Sequence, residues 1–326
     1  MTDSAKSFYN LLTKYRMALF GFATIWIFFR HVFFFNLESY GMIDFITQIG
    51  DCGVDIFLFL SGFGCFYSYR NNLDISLFYK KRTIRILPTV VLLLVSFSLI
   101  DCFFWGNSIK NLFSPFRYFY SIYAVYWFIG AIIFFYLSFP FLYKVVSRHP
   151  LQTVLVSYII AVICVYIINV VDINITKSLN LYFARIPIFI LGIVFAKYNT
   201  LFNRKRTILI LTFISIPLLF ILPKDYQRIA YSVFSIGIIS VLPNFFDYTP
   251  HIVNKVVSKI GECSFEFYII HIFAFNHALV KNFFVNDLPF LGGGVSLVVI
   301  VFASFLFHKL ITIIQEKMKC FLIKKK

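Results

Sequence analysis

Residues 17–35 read MALFGFATIWIFFRHVFFF. One threonine and the pair Arg30-His31 interrupt an otherwise apolar run. At 1.5 Å of rise per residue, a helix of this stretch spans roughly 28 Å, close to the hydrocarbon thickness of a bilayer. The run is too long for the core of a cleavable signal peptide and lacks a small-residue cleavage site. It reads as a first membrane span, and two ionisable side chains at its outer end are costly enough there to be functional candidates.

The rest of the chain has the same character. Of 326 residues, 60% are apolar or aromatic and only 13% are charged; the mean hydropathy is +0.84. Soluble domains carry about 25% charged residues, so this composition excludes a soluble domain, and its hydrophobicity excludes disorder. The net charge of +16 does not indicate a nucleic-acid partner. The basic residues sit in short runs between apolar segments, as they do in membrane proteins, so the partner implied is the lipid bilayer. The expected fold class is all-α integral membrane: one domain over residues 1–326, with about ten transmembrane helices in a bundle. The spans expected are 17–37, 46–67, 86–104, 121–143, 151–171, 180–197, 207–222, 229–243, 263–281 and 290–314. The seventh and eighth are short and contain or border Pro217, Pro223 and Pro243. With the N-terminus inside, cytoplasmic segments hold 22 of the 30 Lys and Arg residues. That bias predicts both termini in the cytoplasm. The six cysteines form no CxxC or Cys/His cluster, so no metal is expected; Cys52 and Cys102 allow a bridge.

Four groups of polar residues stand out. Arg30 and His31 lie near the outer end of span one, and Asp51 and Asp55, four apart on one helical face, lie near the outer end of span two. An antiparallel hairpin brings them to similar depth. A carboxylate beside an imidazole suits general-base chemistry, because it fixes the ring and stabilises its protonated form. The other reading is polar glue between two helices. The second group is Lys80-Lys81-Arg82-Thr83-Ile84-Arg85. Arg82 and Arg85, three apart, project from one face and match phosphate geometry; a plain cytoplasmic anchor is the alternative. The third is Ser61-Gly62-Phe63-Gly64, which allows close helix approach or access of a ligand to backbone. The fourth is Ser264, Glu266, Tyr268 and His271, with His277 further along; these should line the interior, as a structural network or a catalytic one. Arg185 beside Pro187 is a buried charge suited to neutralise Asp51, Asp55 or an acidic substrate. Trp127 is a sugar platform or an interface aromatic.

Taken together these segments resemble the acyltransferase 3 family, bacterial membrane enzymes that O-acylate surface glycans. The match runs through Arg16 and His31; through GVDIFLFLSGF at 53–63 and FYKKRTIRILP at 78–88, which holds an Arg-x-x-Arg; through RIPIFILG at 185–192; and through IGECSFEFYIIH at 260–271. The resemblance implies that His31 is the catalytic histidine; the hairpin reading adds Asp55, with Asp51 as the alternative, to orient it. The resemblance also implies that Arg82 and Arg85, with Lys81 and Arg16, bind the co-substrate acetyl-CoA or another acyl-CoA. Arg30, Ser61, Trp127, Arg185, Glu266 and His271 fall to the substrate or to a structural polar network. The family often sets ten residues between its basic residue and the histidine; that slot is Phe20 here, and the nearest earlier basic residue is Arg16. The implied activity is O-acyl transfer, acetyl first and succinyl as alternative, from acyl-CoA to a hydroxyl of a cell-surface or exported polysaccharide or its lipid-linked precursor, at the inner membrane. The competing class is a polytopic transporter or flippase with a buried polar path. No inverted repeat is visible to support it.

Overall fold

The computed structural model describes residues 3–34, 46–105, 121–171, 177–198, 200–201, 205–276 and 289–323. Among these the chain is helical, with no strand. The helices are α1 (Asp3–Lys14), α2 (Arg16–Phe34), α3 (Cys52–Arg70), α4 (Ile75–Trp105), α5 (Trp127–Arg148), α6 (Pro150–Val171), α7 (Lys177–Phe183), α8 (Ile186–Lys197), α9 (Lys205–Ile221), α10 (Lys224–Tyr248), α11 (His251–Glu262), α12 (Ser264–Asn276) and α13 (Pro289–Ile323).

Among the described residues, seven helical stretches are long and apolar enough to cross a membrane, and an eighth if the bent pair Phe8–Lys14 and Arg16–Val32 counts as one span. The chain is thus a multi-pass membrane protein. The other two expected spans are, within the described residues, the shorter helices Arg206–Ile221 and Ser264–Phe275; residues 277–281 of the ninth lie outside them. Expected span eight, read as a short 229–243, belongs to a helix of 25 residues with Pro243 inside it. In a membrane helix a proline need not end the element, because neighbouring groups satisfy the freed carbonyls. Span three also begins earlier than expected. Asp74 caps α4, its Oδ1 accepting the Leu77 N–H at 3.0 Å, so the basic run lies inside the helix and Pro88 interrupts it only locally. Cys52 is a buried free thiol, so the bridge to Cys102 does not form. His277 and the tail 324–326 lie outside the described residues.

The chain divides into two compact units. The first comprises Met1–Arg30, Tyr40–Leu73 and Ala131–Glu262. Its most extensive helix pair is α3 against α8. A Cβ on Gly62 would collide with the Phe189 carbonyl, and one on Gly192 with the Phe59 carbonyl. The two backbones therefore touch reciprocally, which a side chain at either glycine would prevent. The small residues of Ser61-Gly62-Phe63-Gly64 thus serve packing: Gly62 admits α8, and Gly64 leaves room for the Arg16 guanidinium. Gly21 and Gly261 make the same reciprocal approach between α2 and α11. The second unit comprises His31–Ser39, Asp74–Gly130 and Cys263–Lys326. There α4, α12 and α13 pack on one another.

Candidate functional site

In the first unit Asp51 and Asp55 are each met by an arginine. Arg185 sits at the turn between α7 and α8, where Pro187 restarts the helix. Its Nε lies 3.5 Å from Asp55 Oδ1, with both side chains almost wholly buried. Arg185 also donates to the Leu181 carbonyl. Of the three roles open to Arg185, the structure realises the pairing with Asp55. A 3-10 turn at Ile49–Asp51 leads into α3, and Asp51 Oδ1 lies 3.7 Å from Arg30 Nε. Trp26 fastens the same hairpin end by donating Nε1–H to the Ile46 carbonyl at 2.9 Å. The Arg30 end of α2 and the start of α3 are therefore level, as the helix-rise argument predicts. Arg16 donates to the Leu60 carbonyl at 3.2 Å, and its guanidinium carbon is 5.5 Å from the centre of the Phe20 ring. The charge four residues upstream thus reaches the Phe20 slot in space. Ser61 is half-buried on α3.

The second unit holds the histidines. His31 Nδ1 lies 3.0 Å from His271 Nε2. The ring centroids are 5.1 Å apart with 26° between planes. That separation is close to the N–N distance plus two ring radii, so the rings meet edge to edge and the contact is a hydrogen bond rather than a face stack. His271 is buried, and its Nδ1 lies 2.9 Å from the Phe267 carbonyl. Phe267, Tyr268 and Phe275 surround it. His31 is partly exposed, with Phe275 beside it. An imidazole thus takes the place beside His31 that the sequence reading reserved for a carboxylate, while Asp51 and Asp55 engage arginines.

Around this pair, Glu266 is buried, with Oε2 3.3 Å from His308 Nδ1. Tyr268 accepts the Phe128 backbone N–H at 3.2 Å. Trp127, at the start of α5, packs edge-on against Phe128. His308 was missed in the sequence, although a lone histidine in an apolar helix is a usable signal.

The basic run occupies the early turns of α4. Arg82 is half-buried, its guanidinium carbon 5.1 Å from the Phe78 ring centre; Lys81 and Arg85 are exposed. The end of α13 lies against this run: Lys80 donates to the Leu322 carbonyl and Gln315 to the Arg85 carbonyl at 3.1 Å. Gln315, too, was missed, since nothing in the sequence connects it to residue 85. Further along α4, Phe97 stacks on Phe273, with centroids 3.9 Å apart and 8° between planes. Phe273 is two residues beyond His271, so Phe97 marks the level of the histidine pair. It lies twelve residues, roughly 18 Å, from Arg85 along the helix.

Neither the curated proteins nor the solved structures give a match to this chain. The family model described as an acyltransferase domain, that of the acyltransferase 3 family, matches residues 19–309, a range that takes in both histidines, both aspartates and the Arg-x-x-Arg. The chain belongs to the acyltransferase 3 family and is a membrane acyltransferase.

Proposed function

We propose that this protein is an O-acyltransferase of the inner membrane, with both termini in the cytoplasm. It moves an acyl group, acetyl as first choice, from acyl-CoA to a hydroxyl of a cell-surface or exported polysaccharide or its lipid-linked precursor. Arg82 and Arg85, with Lys81, take the CoA phosphates through charge-assisted hydrogen bonds. His31 removes the proton from the acceptor hydroxyl. The oxygen attacks the thioester carbonyl, the C–S bond breaks, and the CoA thiolate takes the proton back from the imidazolium. Trp127 is assigned to substrate positioning.

One observation carries this reading: within one unit, a partly exposed histidine hydrogen-bonded to a buried one lies at the level of Phe97, roughly 18 Å along α4 from Arg85 and roughly 22 Å from Arg82. The pantetheine arm of CoA bridges such a span when extended. Asp55, by contrast, is sealed against Arg185, which gives a transporter reading no open carboxylate there. The test is mass spectrometry of surface glycans from cells with and without the protein. Acyl esters lost with the protein support the proposal; identical glycans, or transport of an unmodified glycan without CoA release, refute it.

A further inference from the structure

We infer that His271 is a positioning residue that keeps the proton of His31 on Nδ1 and thereby makes Nε2 the nitrogen that accepts the hydroxyl proton. The inference rests on the reading of His31 as the base, and it names the atom and the group that selects it.

A carbonyl oxygen only accepts, so His271 Nδ1, 2.9 Å from the Phe267 carbonyl, must carry a hydrogen. This bond runs back four residues along the same helix and uses the carbonyl's second lone pair, which ties the ring to its own backbone. In neutral His271 the other nitrogen, Nε2, is then a bare acceptor. It faces His31 Nδ1 at 3.0 Å, so His31 Nδ1 is the donor. Neutral His31 consequently has its lone pair on Nε2.

The same bond persists through turnover. When His31 Nε2 takes the acceptor's proton, Nδ1–H still points at His271 Nε2, and the bond strengthens as its donor becomes cationic. No ring flip or tautomer exchange is needed before the proton passes to the CoA sulfur. The orienting partner in a serine-protease triad is a carboxylate that selects a tautomer by accepting. His271 performs the selection as a neutral acceptor, itself fixed by a backbone carbonyl.

The test uses the full-length protein in lipid bilayers with nitrogen-15-labelled histidine, at alkaline pH where the imidazoles are neutral. His31 is assigned by the signal lost in His31→Gln. The expected spectrum shows His31 protonated at Nδ1 and bare at Nε2; His31 protonated at Nε2 overturns the inference. Turnover of acetyl-CoA supplies the second readout. His271→Phe keeps a ring but offers no acceptor, and kcat falls on the order of 10²-fold with an unchanged KM for acetyl-CoA. His271→Gln places an amide oxygen near the same point and restores most of the rate. Unchanged kcat in His271→Phe, or an equal loss in both variants, also overturns it. Should His271→Phe fail to accumulate, the wild-type spectrum decides alone. A protein with the expected spectrum that consumes no acyl-CoA refutes the acyl-transfer reading and upholds the tautomer.

Discussion

Two polar pairs sit in helices that composition assigns to the membrane, and they are built in opposite ways. Asp55 and Arg185 in the first unit have side chains 0% and 1% exposed. Opposite charges meet there, closed to solvent. His31 and His271 in the second unit are unequal: His271 is buried, whereas His31 keeps part of its surface open. Neither ring needs a net charge to make the bond between them. A closed ion pair holds helices in place; a half-open pair of imidazoles can exchange a proton with something that arrives. The difference separates architecture from chemistry among residues that the sequence presents as equally out of place.

The comparison breaks most visibly at Arg185. Arg185→Met alone leaves the Asp55 carboxylate buried without its cation and should cost about 3–5 kcal/mol of stability. Thermal unfolding of the purified protein measures it. Adding Asp55→Leu should recover most of that loss, since a buried ion pair is replaceable by apolar groups of similar volume. A single variant as stable as wild type would show that the pair is not structural. Next in size is the basic run. Arg82→Ala or Arg85→Ala removes a charge-assisted contact worth about 1.5–3 kcal/mol, which raises the KM for acyl-CoA roughly 10- to 100-fold and leaves unfolding unchanged. An unaltered KM would make the run a plain anchor. The smallest effect is expected at Arg30→Gln. Its bond to Asp51 is long, and the side chains are 22% and 29% exposed, so solvent screening holds the loss to about 0–1 kcal/mol. A loss as large as that at Arg185 would mean that the hairpin end is a second closed pair.

Much of this was legible in residue order. The apolar runs predicted the helices, because in a bilayer a chain must satisfy its backbone internally. The rise per residue predicted that the Arg30 and Asp51 ends of a hairpin would be level, and they meet. Arg185 beside a proline was legible as a buried charge in want of an acid. The span count was less so. The stretch at 207–222 is apolar but forms a helix shorter than a typical span, and hydropathy does not report where a helix stops; of 263–281, only the part up to Asn276 lies within the described residues. The start of α4 was hidden because its first turns carry the basic run, which a hydropathy window discards although Asp74 caps it. The partner of His31 was out of reach. It lies 240 residues away, and no local periodicity connects two helices so distant in sequence. Carboxylates at matching depth were the nearest candidates, but arginines from α2 and the α7–α8 turn hold them.

In this mechanism His31 is chemically active on an acyl group delivered by CoA. The most direct measurement uses purified protein in proteoliposomes with acetyl-CoA and a hydroxyl-bearing glycan acceptor, following CoA release and ester formation together. Wild-type protein should release CoA and form ester in equal amounts, and His31→Ala, equally abundant and equally folded, should do neither. Ester formation by His31→Ala at the wild-type rate would contradict the account.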